Sequence, residues 1–398
     1  MLNKKTAFNV LILVVFFITG CGKGDPYSGR LKEDTTWSGK ILLTGDVYVE
    51  SGVKLTILEN TLIRYSEEEI EFEIQKLRDF SGITVDLFSE DKIELIISGD
   101  LDIRGTEKEP VIFKAPKNNR NRAGGINFVG SKSTSSIENL IMHNGYIGVR
   151  LYDYRAPKIS SITVKGMAAG GIGCWDRSAP IINMSVIEEN KYGIGASDLA
   201  APVIKNSRIK NNSASGVFFE GQSTGRLINS EVKGNNVGVA CGYKSEPQIV
   251  FNRIKANGSG IGCWEETTPQ VEDNYFSDNL VGLLSLEKTA PKIYRNKFNN
   301  NGSGITATDN STSDIANNEF NDNGPGILVK NKSLPNISEN IFRRNRYGIR
   351  VENWANPVVK DNFFKENEVG FLFTDYSDPE YGGNLYEKNR TDTVDSRL

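Results

Sequence analysis

The stretch Pro335-Asn336-Ile337-Ser338-Glu339-Asn340-Ile341-Phe342-Arg343-Arg344-Asn345-Arg346-Tyr347-Gly348-Ile349-Arg350-Val351 decides the fold, because its pattern starts again at Pro357 and has already run many times before it. Counted from the proline as zero, offset seven is apolar, from Val164 and Ile187 through Phe276, Phe298, Phe320, Phe342 and Phe364 to Tyr386. Offset ten is Asn at 190, 212, 235, 257, 279, 301, 323, 345, 367 and 389, a period of 22 or 23 residues. Such a period means a stack of near-identical units, each touching mainly its neighbours. Within a unit the apolar positions lie two apart, as at Ile349 and Val351, which is strand periodicity with one face buried. The segments are three to five residues long and separated by Pro, Gly and Asn, leaving no room for a helical face. Short strands that pair with the same strand one unit on give an all-β, parallel β-helix with 22-residue coils stacked ~4.8 Å apart.

Three ladders follow. The Phe row reads as an aromatic stack inside the tube. The turn asparagines read as residues that tolerate the left-handed conformation and bond the next Asn in the row. Gly at offset thirteen (Gly193, Gly238, Gly260 and onward) reads as a conformation that a side chain would strain.

Units such as Pro335 to Ile349, with an entry segment of Gly45-Asp46-Val47-Tyr48-Val49 and Gly99-Asp100-Leu101-Asp102-Ile103, resemble the right-handed parallel β-helix repeat proteins of the pectate-lyase-like superfamily, which include carbohydrate-binding proteins and sugar hydrolases. The resemblance implies a right-handed, single-stranded solenoid over residues 37–389. It implies little about activity, since this repeat serves many functions.

Residues 1–20 read as an export signal: Lys4 and Lys5, then an apolar run from Val10 to Ile18, too short for a comfortable membrane span. Ile18-Thr19-Gly20-Cys21 resembles a bacterial lipobox, which implies lipidation at Cys21 and a cell-envelope location anchored to a membrane. Gly22 after the Cys favours the outer membrane in a Gram-negative cell. Residues 21–36 read as a tether and 390–398 as a polar tail. Residues 66–92 break the pattern with Glu67, Glu68, Glu69, Glu71 and Glu73 and read as a capping insertion that leaves the first coils and covers the N-terminal end, strand or helix being left open. With 47 basic and 50 acidic residues and a net charge of −3, nothing in the composition suggests nucleic acid, which would need a basic face.

The chemistry-bearing positions lie in two rows. Asp176, Asp198, Glu265, Glu287 and Asp309 recur five residues after the Gly, and Trp175 and Trp264 directly precede two of them. Aromatics beside carboxylates suit a sugar-binding face, made shallow by outward Gly173, Gly195 and Gly262. Three carboxylates one coil apart either splay into solvent or share a calcium ion. The single His143 excludes multi-imidazole metal centres. Cys174, Cys241 and Cys263 share one coil position; the last two lie at a distance a disulfide could bridge, or stand as buried thiols. The superfamily's lyase, polygalacturonase and epimerase motifs are not recognisable, and Arg208-Ile209-Lys210 and Arg253-Ile254-Lys255 fall on the repeat. The sequence therefore leads toward a non-catalytic envelope lipoprotein, a rigid module binding polysaccharide or another envelope protein, with a calcium-dependent polysaccharide lyase, hydrolase or epimerase as the alternative.

Overall fold

The computed structural model describes residues 25–67, 92–117, 120–130 and 134–397. The strands wind into a parallel solenoid of about fifteen turns. Its first face is a ladder of fifteen strands, from Thr35–Trp37 through Lys158–Ser160 and Val203–Lys205 to Glu380–Gly382. The second face is a ladder of strands such as Arg208–Lys210 and Lys297–Asn299, and the third of strands such as Val237–Cys241 and Ser259–Cys263. Near the N-terminus single strands, Leu140–Leu151 and Thr163–Cys174, bend through both of these faces.

The inward rows of the regular coils keep apolar over apolar. Ile204 registers on Leu227 and Leu227 on Ile249 in the first face, all fully buried. Phe276, Phe298, Phe320, Phe342, Phe364 and Tyr386 register in turn. Their rings stack at 4.5–5.1 Å with planes 6–11° apart. In the asparagine ladder each Oδ1 accepts from the backbone N–H and the side-chain amide of the Asn one coil earlier, as from Asn279 to Asn301 at 3.1 and 3.0 Å. A second ladder at offset five runs from Asn252 to Asn384 and is extended upstream by serine: Ser185 and Ser207 N–H donate to the hydroxyls of Ser207 and Ser230, and Ser230 N–H to Asn252.

Two of the physical reasons read from the sequence are corrected. The ladder asparagines are not the left-handed residues. The positive φ belongs to the residue before each one, such as Asn211 (56°), Ala256 (51°) and Asn300 (54°). The ladder Asn is kept for its amide, which satisfies backbone groups inside the corner where water cannot. The offset-thirteen glycines are kept for space rather than conformation. A Cβ on Gly238, Gly260, Gly282 or Gly304 would lie 2.4 Å from the carbonyl oxygen of the next glycine in the row.

The ends are also corrected. Asp25–Leu31 pairs with the strand Lys40–Val49, Leu31 opposite Val49, so within 21–36 the solenoid already begins at Asp25. Thr391–Arg397 pairs with Val369–Asp375, so the expected tail is a last strand. There Thr393 and Asp395 register on Phe371 and Phe373, which replaces the apolar interior rows with polar groups and guards an otherwise open edge. Residues 1–24, with Cys21, lie outside the described residues, as does all of 66–92 except Ser66, Glu67 and Lys92.

Cys241 registers on Cys263, and both, with Cys174, are free and buried. Burial pushes the Cys174 thiol up to about 12 and raises Cys241 as well. Since the thiolate is the reactive form, the three core thiols are expected to be silent to a thiol reagent in the native protein and to titrate in denaturant. Native reactivity, or the loss of two thiols in non-reducing denaturant, would contradict the free, buried assignment.

Candidate functional site

The row of acids turns out to be a row of turn positions. Asp176, Asp198, Glu265, Glu287 and Asp309 all have φ between 53° and 59°, as do Asn331, Asn353 and Asp375 on later coils. From Lys244 onward the following residue is left-handed too: Glu266 at 60°, Lys288 at 61°, Asn310 at 65°. Asp and Asn enter this conformation readily, so their recurrence is first a property of the turn. Asp309 accepts from the Asn331 amide at 3.0 Å, and Lys244 lies 3.7 Å from Glu266. Among the described residues no three His, Cys, Asp or Glu side chains gather closely enough to hold a metal ion. His143 is exposed on the second face, and partial burial with Lys165 and Lys114 nearby holds its pKa low.

The two tryptophans do not share a site. They occupy one row, in which the backbone N–H of residues 197, 242 and 264 each bonds the preceding coil, but four coils or ~19 Å separate them. Trp175 stacks on Tyr152 at 5.1 Å and packs against Ile96 and Val129. Trp264 stands apart, with Glu265 beside it and Glu287 one coil on.

The outward glycines do not leave a bare hollow, because aromatic rings fill it. A Cβ on Gly173 would lie 2.1 Å from the Trp175 ring, and one on Gly195 2.1 Å from Phe218. Trp264 covers two glycines at once: a Cβ on Gly242 would lie 2.4 Å from Nε1, and one on Gly262 3.5 Å from Cζ3. Its indole therefore lies flat along the third face, one ring face down on the sheet.

Around Trp264 the third face carries no charge. Outward positions on four coils are Ala240, Gly262, Leu284 and Thr306, and beside Trp264 stand Gly242, Leu286 and Thr308; the next coil adds Leu328 but brings Lys330 into the Trp264 row. On the same coils the second face shows Glu231, Lys233, Arg253, Lys255, Lys297 and Glu319. This contrast was not read from the sequence. The signal was present as the offset-fifteen row, but its meaning needed the outward direction of that row.

A second feature missed from the sequence is a buried ionic cluster in the first coils. Glu94, 1% exposed, accepts from the Arg150 guanidinium, which also reaches the Gly124 carbonyl at 3.3 Å. Asp46 accepts from the Glu94 backbone N–H at 2.8 Å. Asn127 is fully buried beside them, and so is the Tyr65 hydroxyl. Residues 46, 94 and 150 lie outside the regular repeat, so no period brings them together.

A model described as the right handed beta helix region matches residues 103–254 and 248–386. No curated protein sequence is detectably similar. Among solved structures, the A-module of mannuronan C-5 epimerase AlgE4 from Azotobacter vinelandii is similar at 14% identity and a TM-score of 0.49, over 87% of this chain and 91% of that one. The AlgE6 A-module from the same organism is similar at 13% identity and 0.45, over 91% of each chain. Pectate lyase Pel9A is similar at 11% and 0.27, over 81% of this chain and 69% of that one. These likenesses concern the fold alone.

Proposed function

Because the chain belongs to the right-handed β-helix family, whose fold is shared by polysaccharide-acting enzymes and binding proteins, we propose that it is a non-catalytic binding rod of the bacterial cell envelope that holds a polysaccharide along its third face. The observation that carries this reading is the flat Trp264 indole on a charge-free strip. A sugar ring has an apolar face and a hydroxyl-bearing edge. The indole offers a flat apolar surface to the first, and Glu265 and Glu287 offer acceptors to the second. Cys21 is the lipid attachment point in this reading. The first strand begins at Asp25, so a rod of roughly 70 Å would stand close to the outer membrane that carries it.

The test is a glycan array probed with purified protein, beside Trp264→Ala. Truncating a central aromatic anchor is expected to weaken the bound glycans about tenfold or more, with an unchanged melting curve because the residue packs on the outside of the tube. Equal binding by the variant, or no glycan bound at all, would overturn the reading and favour a protein partner.

A further inference from the structure

On the other side of the acid-bearing turn, the first face carries a groove of about 570 Å³. One wall is a row in perfect register, Arg226 on Gln248, Gln248 on Gln270, Gln270 on Lys292. The opposite wall is Thr224, Glu246 and Thr268. Ala290 completes the lining, and the prolines between the two walls, Pro247, Pro269 and Pro291, are buried beneath them.

The side chains of this groove are unengaged. Among the described residues no side-chain hydrogen bond or ion pair holds Arg226, Glu246, Gln248, Gln270 or Lys292, while nearby cations are taken: Arg295 lies 2.6 Å from Glu272 and Lys255 2.6 Å from Glu231. Amides, hydroxyls and cations thus line the groove with their bonding capacity free.

From this we infer a second ligand site, for a linear acidic polysaccharide whose carboxylates are separated by neutral sugars. The repeat of the groove selects the polymer. Its walls repeat every coil, ~4.8 Å, while an extended peptide repeats its side-chain pattern every two residues, ~6.7 Å, and falls out of step within two coils. A linear pyranose chain has units about as long as one coil is tall, so each unit meets the same pair of wall positions as the last. The charges select the sugars. Arg226 and Lys292 stand three coils apart, ~14 Å, with only amides between them on that wall. Glu246, one coil from Arg226, accepts hydroxyls and repels a carboxylate placed beside it. A chain acidic at every unit therefore meets repulsion in the middle, and one acidic at intervals does not.

The inference does not rest on the Trp264 reading, and its test separates the two. Full-length protein is titrated calorimetrically with gellan oligosaccharides, whose glucuronates are separated by neutral sugars, with the same oligosaccharides after carboxyl reduction, and with oligogalacturonate, acidic at every sugar. Gellan oligosaccharide is expected to bind at least fivefold more tightly than either comparison. The double variant Arg226→Gln/Lys292→Gln is expected to lose that margin, about five- to tenfold for two partly exposed charge contacts, while its affinity for the reduced chain stays the same. Trp264→Ala is expected to leave the margin intact. The inference is overturned if none of the three binds, if reduced or fully acidic chains bind as well as gellan oligosaccharide, or if the double variant keeps the preference.

Discussion

Asn301→Ala is expected to lower unfolding free energy by roughly 3–6 kcal/mol, the largest single-residue effect among the ladder positions, because alanine leaves two or three buried backbone groups without a partner at about 1–3 kcal/mol each. Its Oδ1 accepts from the Asn279 N–H at 3.1 Å and the Asn279 amide at 3.0 Å. Its own Nδ2 donates to the carbonyls of Phe276 and Asn299 and to Asn323 Oδ1, at 3.3, 3.2 and 3.0 Å. Asn301 is 3% exposed, so no water replaces the amide without opening the corner. A solenoid's stability is approximately a sum over coils and nearest-neighbour contacts, so a break in mid-stack also uncouples the coils on either side. Asn389 closes the ladder at the partly exposed last coil, where it accepts from Asn367 at 3.0 and 2.9 Å. Asn389→Ala is expected to stay below about 2 kcal/mol, because its orphaned groups reach solvent. Urea unfolding of both variants makes the comparison; equal losses at the two positions would refute the burial argument.

The legible part of this molecule is the part that repeats. The 22-residue period, the inward rows and the Phe stack follow from residue types at fixed offsets, because in a parallel in-register stack sequence position maps directly onto space. The reasons behind individual rows were harder to read. Gly238 and its successors look like turn glycines in a string of letters, and only the 2.4 Å approach of the next carbonyl shows that crowding excludes a Cβ. The acids at 265, 287 and 309 look like a site, yet their φ of 53–57° marks a turn. Trp175 and Trp264 look equivalent in register, but Tyr152 stacks on the first while the second lies alone across two glycines. The groove from Arg226 to Lys292 was written plainly at offset one. What the sequence could not show was that these side chains are unengaged while neighbouring charges are paired. The first coils were least legible, since spacings such as Ile103 opposite Ile137 break the period.

In those first coils stability is expected to fall as pH rises from about 4 to about 7, and Asp46→Asn is expected to abolish most of that fall. Burial first, and then the neighbouring Glu94 carboxylate, raise the Asp46 pKa from 3.8 to about 7, against the opposing Glu94 backbone N–H. Glu94 is raised in the same direction by its own burial, against the opposing charge of Arg150 and of Lys92, and Tyr65, buried and facing Glu94, is raised too. Across this window the unfolded chain has released the Asp46 proton and the folded chain still holds it. The folded state therefore binds more protons, and stability falls with rising pH until both forms are ionised. About three pH units at about 1.4 kcal/mol each set an upper bound of roughly 4 kcal/mol. The amide introduced by Asp46→Asn keeps an acceptor for the Glu94 N–H without the charge, so the variant's advantage over the native chain should be near zero at about pH 4 and largest at about pH 7.5. Urea unfolding at about pH 4, 5.5 and 7.5 measures it. An advantage that does not grow with pH would mean that Asp46 is ionised and solvated in the folded chain, and that the Glu94–Arg150 pair is held without it.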